Sequence, residues 1–236
     1  MKAALIRIIK RIFSLFGIGI FRFDVSKERV IPEYLDLDLM FDVGANTGQY
    51  VTLIRRQGFK QQIVSFEPLS AEHLQLQANS RKDVNWEIFE RCAIGNVNGS
   101  GTMNISQNSF SSSLLGILKS HLSAAPESAY IGTESTPIFR LSEIYQSKYT
   151  GFKRLGLKID VQGFEMEVLL GAQEILNLVS FVQIEMSLIP VYSDQKMYFE
   201  VDAFLRQSGF SLWKVVPGFS NPVNGQQLQF DGIYVK

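Results

Sequence analysis

The sequence predicts an α/β domain in which helices cover both faces of a mostly parallel sheet. After Pro32, apolar strand-like runs alternate with helical patterns, and this alternation is typical of such sheets. The 236 residues are 46% hydrophobic, which is enough to fill one large core. A glycine turn follows the first predicted strand, and ligands of parallel sheets bind beyond the carboxyl ends of the strands. We therefore expect a single enzyme-sized domain with its ligand site at that edge.

Each predicted element rests on its own pattern. Short apolar runs predict strands over residues 37–43, 62–66, 85–89, 155–161, 180–185 and 230–235, with a further apolar segment at 210–216. Helical periodicity predicts helices over residues 47–57, 70–80, 164–176 and 195–207. Ser70 as N-cap and Glu72 in the first turn support the second of these helices.

Residues 98–135 break the alternation, because they are rich in Ser, Gly and Asn and show no long helical pattern. A short hairpin strand at 101–105 is the regular element that we expect there. Long loops in compact domains are usually functional, so we predict a lid or acceptor-recognition loop, with a plain surface insertion as the alternative. The predicted domain therefore covers residues 31–236 with an irregular insertion at about 98–135, and residues 1–30 form an N-terminal helix and linker.

Charge and cysteine content exclude several classes of function. The 23 basic and 23 acidic residues cancel, so no overall field attracts the protein to nucleic acid. The single cysteine, Cys92, excludes an internal disulfide and a multi-cysteine zinc site. This composition favours a cytoplasmic protein.

Residues 2–21 form a basic amphipathic pattern, with Arg7, Lys10 and Arg11 on one stripe and apolar side chains opposite. Such a helix lies in a membrane interface, or docks on its own domain, or docks on a second subunit in a homo-oligomer. A secretory signal is a further alternative. The uncharged run at 12–21 is too short to span a bilayer, so we expect at most peripheral contact with the inner membrane face.

The first predicted strand ends in Asp42-Val43-Gly44-Ala45-Asn46-Thr47-Gly48. A glycine directly after a strand permits a sharp turn and leaves the peptide open to a ligand. The spacing lacks the third glycine of the phosphate-binding G-x-G-x-x-G pattern, and the Asp42 carboxylate would repel a pyrophosphate but attract a cation. The turn therefore favours a cationic nucleoside such as S-adenosylmethionine over a nicotinamide cofactor. An NAD(P)-dependent oxidoreductase stays as the least favoured alternative.

Glu67 ends the second strand in the segment VSFEP. The carboxyl ends of neighbouring parallel strands meet at one edge of the sheet, where an acid can accept both ribose hydroxyls of a nucleoside. Two acids on two adjacent strands are more specific than either acid alone. We therefore predict that Asp42 and Glu67 belong to one nucleoside-binding site.

The segments FDVGANTGQY, SFEP, CAIGNVNG and LKIDVQGFEMEVLLGA resemble the FkbM family of S-adenosylmethionine-dependent methyltransferases, over about residues 39–236. The resemblance implies the class I methyltransferase fold, a seven-stranded sheet whose last strand is antiparallel. It also implies methyl transfer to a hydroxyl of a small-molecule or glycan acceptor, such as a saccharide, a glycolipid or a natural product. A catalytically silent cofactor-binding scaffold or a membrane-docked module is the alternative. The cofactor-binding residues that the resemblance implies are Asp42, Gly44, Asn46, Gly48, Glu67 and, near the adenine, Ala93.

The reacting end of the site is predicted from the strand LKIDV. Asp160 ends this strand, where we expect it beside the sulfonium as a cofactor-binding and catalytic or acceptor-orienting residue. His121 is the second catalytic candidate, as a base in the long loop. Asp160 together with Glu185 could bind Mg²⁺, although Gln162 stands where the family motif usually has an acid. Glu165 is expected to complement the dipole of the following helix.

Overall fold

The computed structural model describes residues 35–236; the predicted N-terminal helix at 2–21 lies outside them. The strands in this part of the chain are β1 (Leu39–Val43), β2 (Gln62–Phe66), β3 (Trp86–Ile88), β4 (Ala93–Ile94), β5 (Gly99–Ser106), β6 (Tyr130–Phe139), β7 (Leu155–Ile159), β8 (Val179–Ser187), β9 (Ser211–Pro217) and β10 (Gln229–Val235). The α-helices are α1 (Gln49–Arg56), α2 (Ser70–Ser80), α3 (Lys119–Ala124), α4 (Leu141–Lys148), α5 (Glu165–Gly171) and α6 (Tyr198–Gln207). Among the described helices, none has the length and apolar character that crossing a membrane requires.

The main sheet has seven strands in the order β3-β2-β1-β7-β8-β10-β9. The pairs from β3 to β8 are parallel, and β10 runs antiparallel to both β8 and β9. The predicted seven-stranded sheet with an antiparallel last strand is therefore confirmed. Every residue of β1 and β7 is buried, as expected for strands that are covered on both faces.

The strand order reverses between β1 and β7. From β1 the chain continues through β2 to β3 on one side, and β7 continues to β8 on the other. Such a reversal leaves a crevice at the carboxyl ends of the two central strands, which is where open α/β sheets bind ligands. In register, Asp42 lies opposite Lys158 across this junction.

The two faces of β1 differ in chemistry. Phe41 and Val43 join the main hydrophobic core together with residues of α4 and α5. Asp42 points to the other face, where it contacts Ser65 and Lys158. Polar side chains in the middle of a buried sheet are costly unless they are paired. Asp42, Ser65 and Lys158 therefore mark the part of the sheet that serves the site.

Long strands lie at both ends of the segment at 98–135, for which the sequence predicts an irregular insertion with one short strand. The long strands β5 and β6 pair antiparallel, and with β4 they form a second, three-stranded sheet. The predicted strand at 101–105 is the centre of β5. Most residues of β5 are exposed or half-buried, so the strand lacks the alternation of apolar and polar residues that makes a strand visible in sequence. Residues 107–129 connect the two strands.

Candidate cofactor and acceptor site

The turn after β1 requires glycine at position 44. Gly44 has φ +77°, and a Cβ atom there would lie 1.8 Å from the backbone oxygen of Asp160. The N–H groups of Gly44 and Ala45 both donate to the carbonyl oxygen of Phe66, at 3.1 and 3.0 Å. The turn is thus fixed between the ends of β7 and β2, and no side chain separates its backbone from the crevice.

Gly48 serves packing. It has φ +95° at the N-cap of α1, and a Cβ atom would lie 2.4 Å from Cη2 of Trp86. The glycine therefore lets α1 start directly above β3. Gly48 does not line the cavity described next, so the structure places it behind the predicted cofactor site.

A cavity of about 650 Å³, measured to its open mouth, lies beyond the ends of β1, β2 and β4. Its wall includes five of the seven predicted cofactor-binding residues, which are Gly44, Asn46, Glu67, Ala93 and Asp160. The rest of the wall is largely apolar and includes Ile94, Met103, Leu114 and Phe164.

Glu67 is held rigidly in this wall. Its two carboxylate oxygens accept the N–H groups of Asn46 at 2.7 Å and of Leu69 at 2.9 Å. Burial raises the pKa of Glu67 to about 7, although both backbone donors act to lower it. Each oxygen keeps a second lone pair, so the carboxylate can still accept two ribose hydroxyls.

Asp42 lies beneath the turn and does not line the cavity. Its side chain is fully buried, accepts a hydrogen bond from Ser65 Oγ at 3.0 Å, and lies 3.4 Å from Nζ of Lys158. The expectation that Asp42 attracts a cationic ligand directly is therefore corrected, because its charge is already paired with an ammonium group.

Lys158 is the site residue that sequence reasoning missed. Its Nζ donates to the carbonyl oxygen of Gly44 at 3.0 Å and lies 3.7 Å from Oδ2 of Asp160. Burial alone would lower the pKa of Lys158, but the carboxylates of Asp42 and Asp160 raise it above its usual value. A charged lysine therefore links β1, the glycine turn and the end of β7.

The side-chain amide of Gln162 bridges Asp160 and Glu185 by hydrogen bonds. Nε2 of Gln162 donates to Oδ1 of Asp160 at 2.8 Å and to Oε2 of Glu185 at 2.9 Å, while its Oε1 accepts the hydroxyl of Tyr192 at 2.7 Å. Gln162 adopts φ +57°, a conformation that costs energy for a residue with a side chain. Gln229 donates a further hydrogen bond to Glu185 at 2.8 Å.

This arrangement does not fit the predicted Mg²⁺ site. The amide hydrogens of Gln162 point at both carboxylates, into the place that a cation between them would occupy. Within residues 35–236, no group of three or more His, Cys, Asp or Glu side chains is arranged to hold a metal ion. Burial and the neighbouring acid Asp160 raise the pKa of Glu185 well above its usual value.

Replacing Gln162 by Glu is expected to lower the free energy of unfolding at pH 8 by roughly 1–3 kcal/mol, because a carboxylate would replace the donor that serves two carboxylates. Urea unfolding measures this loss, and added MgCl₂ should stabilise the variant but not the wild type. Gln75→Glu, an exposed exchange on α2, is the control. Stabilisation of the wild-type protein by MgCl₂ would contradict the amide assignment.

His121 is not placed to act as a base in the cavity. It is buried against the rings of Tyr192 and Phe219, and its Nε2 lies 3.1 Å from the hydroxyl of Ser128. Burial lowers the pKa of His121 to about 4. The predicted catalytic role therefore gives way to a structural one, in which neutral His121 packs the connecting segment against Tyr192 and Phe219.

Residues 107–113, which we call the strap, cross the crevice. Asn46 Nδ2 donates to Ser109 Oγ at 3.3 Å on one side, and Ser113 Oγ donates to the carbonyl oxygen of Gln162 at 2.6 Å on the other. These contacts place this part of the predicted loop at the ligand end of the sheet. The strap therefore connects the turn after β1 with the turn after β7.

Glu165 shapes the second of these turns. Its carboxylate accepts the N–H groups of Gly163 at 2.9 Å and Val161 at 3.3 Å. Burial raises the pKa of Glu165 to about 7. The predicted first-turn position in α5 is observed, and the side chain closes the turn that carries Gln162.

A family described as "Methyltransferase FkbM domain" matches residues 42–212 of the chain. No curated protein sequence matches this chain significantly. The match includes the glycine turn, Glu67, Asp160, Gln162 and Glu185, so the residues that form the crevice all lie within it.

Solved structures with a similar fold share little sequence. TehB from Haemophilus influenzae is 8% identical, with 96% of this chain and 66% of that chain covered and a TM-score of 0.48. A SAM-dependent methyltransferase from Aquifex aeolicus is 11% identical, with 90% and 98% covered and a TM-score of 0.43. The 1,6-didemethyltoxoflavin-N1-methyltransferase of Burkholderia thailandensis, solved with S-adenosylhomocysteine, is 11% identical, with 100% and 88% covered and a TM-score of 0.46. At TM-scores below 0.5 these likenesses add nothing to the family match.

Proposed function

Because this chain belongs to the FkbM family of S-adenosylmethionine-dependent methyltransferases, we propose that it methylates a hydroxyl oxygen of a polyhydroxylated acceptor. Saccharides, glycolipids and hydroxylated natural products are acceptors of this kind. The proposal has two parts, a cofactor half built on the ends of β1, β2 and β4, and an acceptor half built on the ends of β7, β8 and β10.

The residues of the cofactor half suit S-adenosylmethionine. Gly44 leaves its backbone open to the cavity, Glu67 offers free lone pairs for ribose hydroxyls, and Ala93 lies in the apolar wall that suits an adenine. When bound, the cofactor supplies an electrophilic methyl group on a sulfonium. Asp160, whose side chain is 42% exposed at the cavity wall, places negative charge at this end of the site.

The observation that carries the choice of acceptor is a row of carboxylates and amides that runs from the end of β7 across β8 and β10, which we call the acceptor edge. Its members are Asp160, Gln162, Gln183, Glu185, Gln229 and Asp231. The amides of Gln162 and Gln229 bond to Glu185, and the amide of Gln183 bonds to Asp231 at 2.8 Å. A hydroxyl group both donates and accepts hydrogen bonds, so an acceptor with several hydroxyls matches a row in which carboxylates and amides alternate.

Asp160 is the residue that we propose to orient the acceptor and to take up its proton. It lies both on the cavity wall and on the acceptor edge. A general base must reach the proton that it removes, and Asp160 is the carboxylate shared by the two halves of the site. Lys158 and Gln162 fix its two oxygens from opposite sides.

The test is incubation with methyl-labelled S-adenosylmethionine and a panel of mono- and disaccharides, glycolipid extracts and hydroxylated metabolites. Product analysis by mass spectrometry should find an alkali-stable methyl ether. Asp160→Asn should abolish its formation while S-adenosylhomocysteine still binds in calorimetry. Label on a nitrogen or as an alkali-labile ester would reject O-methylation of a hydroxyl. Cofactor binding without turnover on any of these acceptors would favour the catalytically silent alternative.

A further inference from the structure

Phe110 is exposed, although the residues on both sides of it are held by hydrogen bonds. Its side chain is 61% exposed, although it belongs to the wall of the cofactor cavity. The three serines that follow it, residues 111–113, are buried. One large apolar ring therefore stands at the cavity mouth on a segment that is otherwise polar and packed.

The strap that carries this ring is fixed by its own hydrogen bonds. The hydroxyl of Ser128 lies 3.0 Å from Nδ2 of Asn108 and 2.9 Å from Oγ of Ser111, and Ser112 Oγ accepts the N–H of Ser106 at 2.9 Å. Since Ser109 is also bonded to Asn46, both residues beside Phe110 are anchored. The backbone that carries the ring is therefore anchored without a ligand, which reduces the cost of ordering this segment on binding.

The neighbours of Phe110 identify the part of the ligand that it meets. Ser109 contacts Asn46, whose N–H donates to Glu67, the proposed ribose acceptor. Met103 and Leu114 line the same cavity and supply an apolar surface, and Ala93 lies in the wall assigned to the adenine. An exposed aromatic ring beside a ribose site suits a flat aromatic base, because aromatic rings and bases stack.

We propose that Phe110 is a cofactor-binding residue whose ring packs on the adenosine portion of the cofactor. This inference rests on the proposed function for the identity of the ligand. It adds an aromatic contact from the strap to the cofactor half, so the strap belongs to the cofactor half as well as bordering the acceptor half.

Calorimetry with S-adenosylhomocysteine tests the contact without any acceptor. Phe110→Ala should weaken binding by about five-fold to 150-fold, which is the range found when an aromatic side chain that stacks on a base is truncated. Phe110→Trp should bind within about three-fold of the wild type, because its ring is also able to stack. Its added tryptophan emission, measured against a wild-type titration, should be quenched by the ligand.

Phe199→Ala is the matched control, because Phe199 is 58% exposed on α6 and should leave the affinity unchanged. Thermal unfolding without ligand should be the same for Phe110→Ala and the wild type, since the ring is largely exposed. Wild-type affinity in Phe110→Ala, or no quenching in Phe110→Trp, would overturn the inference while the proposed function stands. A wild-type protein that does not bind S-adenosylhomocysteine would reject the cofactor assignment first, and this inference with it.

Discussion

Replacing Lys158 by Met is expected to lower the free energy of unfolding by about 3–5 kcal/mol, the usual cost of removing one partner of a buried ion pair. The change would leave Asp42, which is fully buried, without its cation. It would also remove the donor to the carbonyl oxygen of Gly44. Urea unfolding at pH 7 measures the loss, and no cofactor is needed for the experiment.

Two further variants distinguish the effect of losing the ion pair from the effect of losing side-chain packing. Lys196→Met removes a lysine from an exposed pair with Glu200 and should cost only about 0.5 kcal/mol or less. Adding Asp42→Asn to Lys158→Met should restore part of the lost stability, because the unpaired charge disappears with the carboxylate. A double variant as unstable as the sum of the two single variants would show that the pair is not the source of the effect.

Replacing Glu67 by Ala is expected to weaken S-adenosylhomocysteine binding by at least about 100-fold. Hydrogen bonds to a charged group contribute about 1.5–3 kcal/mol each, and two ribose hydroxyls are proposed to donate to this carboxylate. The change also frees the N–H groups of Asn46 and Leu69, which Glu67 now accepts. Calorimetry at pH 8 measures the affinity. Unchanged binding in this variant would remove the proposed ribose contact.

The same carboxylate predicts how binding depends on pH. Because the pKa of Glu67 is about 7 in the free protein, the carboxylate form increases as pH rises through 7. Affinity for S-adenosylhomocysteine should therefore rise roughly ten-fold from pH 6 to pH 8, and Glu67→Gln should abolish this dependence. Glu165 also has a raised pKa of about 7 but lies behind the turn, so Glu165→Gln is expected to keep the dependence.

The stability of the free protein should change in the opposite direction. A carboxyl group whose pKa is higher in the folded than in the unfolded chain contributes stability that is complete below the unfolded value and is lost as pH rises through the folded value. For Glu67 and Glu165 this window runs from about pH 4.5 to about pH 7. Above about pH 7, therefore, the cofactor should bind most tightly, and Glu67 and Glu165 should contribute least to the stability of the unliganded protein.

The cofactor half of the site could be predicted because its residues follow directly from strand ends. The turn at Gly44 and the acid Glu67 come immediately after apolar strands, and parallel strands bring their ends together. Lys158 was missed, although the sequence of its strand contained a signal for it. It is a charged residue inside an otherwise apolar strand, and the register that pairs it with Asp42 becomes known only from the sheet.

The acceptor half and the strap could not be predicted in the same way. Gln229 reaches Glu185 and Asp231 reaches Gln183 because β10 lies beside β8, a relation between segments that lie far apart in the chain. The hairpin of β5 and β6 is largely exposed and rich in small polar residues, so no periodic pattern marks it. Burial of His121 likewise depends on Tyr192 and Phe219, which come from distant parts of the chain.

The position of β10 has a consequence for biosynthesis. In the described sheet β9 pairs with β10, and β10 supplies Gln229 and Asp231. Domains generally fold as units during synthesis, so the acceptor edge must wait until the strand at 229–235 has emerged from the ribosome. Translation past this strand is therefore needed before a nascent chain can recognise what it modifies.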